Sequence, residues 1–202
     1  MTSTLKVDEL QNSLGGSGVK VGSLKHPDAS GTNVTLASDG SATINQISSS
    51  SVFPAGHIIQ TVAGTKATSE STTGNSEIFT GLAASITISA GNKVLIMVSQ
   101  NFRLYATGSS SGRYHNVKLR RGTDATTTNN TLIFTTGDNA VGLNGSGTGG
   151  FGYVAGITYV DDNPGAGTHQ YRTSMVTTNN TYQITTQAGG GESFMVLMEI
   201  KA

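Results

Sequence analysis

Two stretches of the chain, VLIMV at 94–98 and FMVLMEI at 194–200, are apolar at nearly every position. Runs of this kind read as central strands, covered on both faces. They belong to a series. From His57 onward the chain offers HIIQTVAG, LAASITIS, KVLIMVSQNFRLYA, YHNVKLRR, TLIFTTGD, GFGYVAGITYV, HQYRTSMVTT, YQITTQA and SFMVLMEIKA, separated by clusters of Gly, Asn, Asp and Ser. Strand-length runs at regular intervals, with no helix-length periodicity between them, predict an antiparallel β-sandwich or barrel. HNVKLRR and YQITTQ alternate apolar with polar residues, so each is expected to keep one wet face.

Residues 1–51 follow a different rule. Their apolar residues come in short alternating groups, first in LKVDELQN (Leu5, Val7, Leu10), then in VKVGSLKH (Val19, Val21), then at Val34 and Leu36, and at Ala42 and Ile44. Turn residues separate the groups, and Ser38-Asp39-Gly40-Ser41 is a hairpin signal, because Asp-Gly favours a tight primed turn. A ribbon this thin in apolar residues does not stand alone in water. It is expected to dock on a partner, with Leu5, Val7, Leu10, Val19 and Val21 as the attachment residues. QISSSSVFPAG then marks a linker, which divides the chain into an attachment segment, 1–51, and a β-sandwich head, 52–202.

Composition narrows the function classes. Twelve Lys and Arg balance twelve Asp and Glu, so no overall field draws the chain to nucleic acid or an anionic membrane. The absence of cysteine removes disulfides and thiolate metal sites. MTSTLKVDEL lacks the basic start and apolar run of a secretory signal, and no stretch reaches the roughly 20 apolar residues of a membrane helix.

Several segments carry a resemblance. GITYVDDNPGAGTHQYRTSM, TYQITTQ and the ending ESFMVLMEIKA resemble the C-terminal head of bacteriophage tail-fibre and related virion proteins. STLKVDELQN, VKV and HPDASGTNVTLASDGS are similar to the N-terminal segment of many marine and cyanobacterial phage structural proteins. The resemblance implies a jelly-roll head of the tumour-necrosis-factor or complement C1q type, assembled as a homotrimer in the virion after synthesis in the host cytoplasm. Its implied partners are other virion proteins and a host cell-surface polysaccharide.

Charge is segregated locally. Residues 91–122 hold Lys93, Arg103, Arg113, Lys118, Arg120 and Arg121 with no acid, and residues 123–168 hold Asp124, Asp138, Asp161 and Asp162 with no base. The two blocks are expected to pair with each other. The competing expectation is a basic surface that meets anionic polysaccharide, with Arg113 and Arg120 foremost. The loops ATGSSSGRY and LNGSGTGGFGY bring Tyr105, Tyr114, Phe151 and Tyr153 beside flexible glycine, where they either stack on sugar rings or anchor loop ends. His26, His57, His115 and His169 are scattered, and adjacent strand residues such as Asp161 and Asp162 point to opposite faces. No enzyme, metal or cofactor is expected. Three roles remain: a tail fibre or receptor-binding protein, a capsid decoration protein, and a soluble carbohydrate-binding sandwich.

Overall fold

In the computed structural model the chain divides into two compact units, Met1–Val52 and Phe53–Ala202. The structure describes residues 23–24, 34–36, 42–44, 54–106, 113–122, 130–136, 141–143, 149–177 and 182–202. In the first unit, β1 (Ser23–Leu24), β2 (Val34–Leu36) and β3 (Ala42–Ile44) form an antiparallel sheet in that order. Val34 lies opposite Ile44 and Leu36 opposite Ala42, the pairing expected of strands that flank Asp39-Gly40. Leu5, Val7, Leu10, Val19 and Val21 lie outside the described residues.

The second unit contains β4 (Ile58–Lys66), β5 (Ser71–Thr72), β6 (Ile78–Ile88), β7 (Lys93–Ala106), β8 (Arg113–Arg121), β9 (Thr131–Thr135), β10 (Val141–Leu143), β11 (Gly149–Asp161), β12 (Gly167–Thr177), β13 (Tyr182–Thr186) and β14 (Ser193–Ile200). One sheet runs β4-β14-β7-β11, and β13 with β5 extends the β14 side along the far half of β7. The other runs β6-β12-β8, with β9 and β10 both on the outer edge of β8. Early strands pair with late ones in reverse order: β4 with β14, β6 with β12, β7 with β11, β8 with β9 and β10. A long hairpin rolled into two facing sheets is a jelly roll, so the head is the all-β sandwich its sequence predicts.

The core follows from alternation along each strand. Val94, Ile96, Val98, Phe102 and Leu104 of β7 and Met195 and Leu197 of β14 face Leu82, Ile86, Ile88, Leu119 and Met175 of the opposite sheet, and all are buried. Gly64 lets β4 ride directly against β6, for a Cβ there would lie 2.0 Å from the Ala83 carbonyl oxygen. Gly81, at φ 78°, absorbs an irregularity in β6 opposite Thr173, where the β6–β12 register shifts. This bulge also explains why β6 begins at Ile78, four residues before the run LAASITIS.

One sequence expectation fails in part. VLIMV and FMVLMEI do occupy central strands, but only one face of each is covered. The sandwich supplies a second layer on the inner side alone, and Leu95, Met97, Val196 and Met198 point away from it with Met97 41% exposed. The short strands β5 and β10 carry no such signal in the sequence.

Candidate functional site

The outer side of β4-β14-β7-β11 can be read row by row from the strand registers. Thr61, Met198, Leu95 and Val160 form one row; Ala63, Val196, Met97 and Thr158 form the next; Thr65, Phe194, Ser99 and Gly156 form a third. Phe194 is 47% and Val160 38% exposed. No charged residue interrupts these rows. With strands about 4.8 Å apart and rows about 6.8 Å apart, the three rows span several hundred Å², in which Leu95, Met97, Val160, Phe194, Val196 and Met198 stand beside the hydroxyls of Thr61, Thr65, Ser99 and Thr158.

Farther along β7 the same face changes character. Val154 lies opposite Asn101, then Gly152 opposite Arg103, then Gly150 opposite Tyr105, with Thr185 and Gln183 of β13 completing the last two rows. The Arg103 guanidinium stands 5.6 Å from the centre of the exposed Tyr105 ring. A cleft of about 380 Å³ opens beside it, lined by Asn101, Arg103, Gly152, Val154, Gly189 and Gly191 among others. The far wall is the 3-10 turn Ala188–Gly190, tied to β7 by the bond from Gln187 N–H to the Asn101 carbonyl (3.0 Å) and by the one from Asn101 Nδ2 to the Glu192 carbonyl (2.8 Å).

The basic residues are treated very differently. Glu77 accepts from Arg120 Nε (2.5 Å) and Nη2 (2.8 Å), Lys118 Nζ (2.9 Å) and Ser174 Oγ (2.5 Å). Burial alone would raise the Glu77 pKa, but the hydrogen bonds from Arg120, Ser174 and Lys118 outweigh it and hold the carboxyl at about 2. Asp161 is buried and accepts from Arg121 Nη1 (2.5 Å) and the Tyr171 hydroxyl (2.9 Å), whereas exposed Asp162 accepts from Lys93 (2.7 Å). The two aspartates therefore point to opposite faces, as strand geometry requires. Arg103 has no carboxylate partner among the described residues.

Of the residues singled out for receptor contact, Arg120 is occupied by Glu77 and only 12% exposed, so its charge is spent internally. The acid that it meets lies 43 residues away in sequence. Tyr153 faces the interior, stacked on Phe102 (5.6 Å between centroids) with its hydroxyl hydrogen-bonded to Nε2 of His115. Burial lowers the His115 pKa to about 4, so the imidazole is neutral at physiological pH, and burial raises that of the Tyr153 phenol. Phe151 continues the stack on Tyr153 and stays 44% exposed. Tyr114 anchors β8 to β13, its backbone N–H donating to the Tyr182 hydroxyl (2.6 Å). Arg113 opens β8 opposite Leu143, and its side chain lies outside the described structure. Of the six, Tyr153 is among the residues lining the cleft although its ring faces the interior, and Tyr105 stands beside the cleft next to Arg103, which the sequence did not single out. The signal that would have found it is its strand: an arginine two residues before a tyrosine in β7 shares that tyrosine's face.

No family model matches the chain, and no curated protein matches it. Among solved structures, it is similar to a chain of the infectious bursal disease virus Gt strain structure, at 14% identity and a TM-score of 0.36, over 85% of this chain and 47% of that one. It is also similar to a chain of the Gx strain structure, at 11% identity and a TM-score of 0.30, over 77% of this chain and 43% of that one. The chain spans less than half the length of these two viral chains, and a likeness at this level leaves fold and function to be read from the chain's own geometry.

Proposed function

We propose that the chain is a virion structural protein of the tail-fibre or receptor-binding kind, whose first unit attaches to another virion component and whose sandwich forms a homotrimeric head facing the host. The observation that carries this reading is the apolar outer side of β4-β14-β7-β11. Each Å² of such surface removed from water is worth roughly 25 cal/mol, and nothing in the described part of the head removes it. The occupant is a copy of the same chain, because the rows offer no charge by which a chemically different partner would be chosen. The resemblance of the flanking segments supplies the virion and the threefold arrangement.

Sedimentation equilibrium of the full chain tests the assembly, with a trimer mass expected; a monomer that keeps its sandwich would refute it. Removal of residues 1–51 should leave a folded, trimeric head that no longer enters particles. Imaging of labelled particles then separates tail from shell, and density at the shell would replace the tail-fibre role with capsid decoration.

A further inference from the structure

We propose that Arg103, with Tyr105 and the adjoining cleft, is a subsite for one uronate residue of an acidic polysaccharide. The proposal deepens the host-facing role of the head by naming the class of ligand. It begins from an imbalance. Lys66, Lys93, Lys118, Arg120 and Arg121 each hold a carboxylate within 3.3 Å, whereas the exposed guanidinium of Arg103 lies over Gly150 beside the Tyr105 ring and meets no carboxylate among the described residues. A planar fork held against an aromatic face is preorganised for a carboxylate, which it can bind through two parallel hydrogen bonds.

The surroundings suit a sugar ring better than a phosphate or an acidic peptide. Gly150, in the Tyr105 row, lies beneath the guanidinium, where a Cβ would come within 2.6 Å of Arg103 Nε, and Gly152, directly opposite Arg103, likewise carries no side chain. Across the strand, Thr185 and Gln183 lie opposite Arg103 and Tyr105, both partly exposed, and supply hydroxyl and amide groups of the kind that pair with sugar hydroxyls. The 44% exposed Tyr105 adds an apolar face. At about 380 Å³ the cleft takes one pyranose rather than an extended chain segment. Arg103 lies four residues along β7 from Ser99 of the nearest of the three rows, about 13 Å away.

Calorimetric titration of the full-length chain with tetragalacturonate and tetraglucuronate, against maltotetraose as the neutral control, tests this directly. At least one uronate should bind at least tenfold more tightly than maltotetraose. Arg103→Gln should remove at least tenfold of that affinity, Arg103→Lys should lose part of it, and Tyr105→Ala should weaken it severalfold. Lys93→Gln, at the far end of the strand, should stay within twofold of the parent. Binding of neither uronate, equal binding of the neutral sugar, or an unchanged Arg103→Gln variant that keeps the parent's melting temperature would overturn the proposal. Sedimentation of the same samples keeps the two readings apart: a trimer blind to uronate refutes the subsite alone, and a monomer that still discriminates refutes the assembly alone.

Discussion

On the outer side of β6-β12-β8, Glu77 gathers Arg120, Lys118 and Ser174, and Arg172 lies 4.9 Å over the Phe79 ring. On the outer side of β4-β14-β7-β11, Leu95, Met97, Val196 and Met198 meet no such company. The difference teaches that one solvent face draws its charged groups into pairs within the chain, while the other presents apolar rows to solvent.

The hardest blow to that contrast is one that removes the sandwich itself. Leu197→Asp puts an unpaired charge between the sheets and should cost roughly 4 kcal/mol or more, with loss of the β circular-dichroism signal. Met97→Glu sits on the other side of the same sheet. It should leave the thermal melt of the protomer within about 1 kcal/mol while sedimentation falls to the monomer mass; an intact oligomer would erase the distinction between the faces. Glu77→Gln strikes the charge-paired face and should cost about 2 kcal/mol at neutral pH, leaving two cations without their carboxylate, and should not change the mass. Its sign with pH is fixed. The folded-state pKa lies below the ordinary 4.5, so the stabilisation is whole above about 4.5 and fades as pH falls toward 2; acid titration of the variant should lack this loss. The smallest effect belongs to Ser85→Lys, exposed on the charge-paired face, expected within about 0.5 kcal/mol and without change of mass.

Much of the architecture was legible because it is local. Alternation placed Val117 and Leu119 inward with Lys118 and Arg120 outward, and Asp39-Gly40 announced the pairing of β2 with β3. Turn composition likewise separated nearly every strand of the head. What stayed hidden depends on residues brought from afar. Arg120 looked like a receptor contact until β6 delivered Glu77, and Tyr153 looked like a loop aromatic until pairing with β7 turned it toward Phe102 and His115. Arg103 hides for the converse reason: whether a cation meets a carboxylate is a property of its neighbours in space, here Gly150, Gly152, Thr185 and Tyr105. The charge blocks pair as expected for Lys93 with Asp162 and Arg121 with Asp161, but the acid that claims Lys118 and Arg120 lies outside both blocks.

The rolled hairpin brings the start of β4 beside the end of β14, where Gly56 N–H donates to the Lys201 carbonyl (2.8 Å) and Lys201 N–H to the His57 carbonyl (2.9 Å). Arg103 and Tyr105 lie toward the opposite end of β7. Traction applied between a tether at Pro54 and a load held at Tyr105 therefore runs lengthwise along the strands. Under such shear the rungs between β4 and β14 resist together instead of opening one by one.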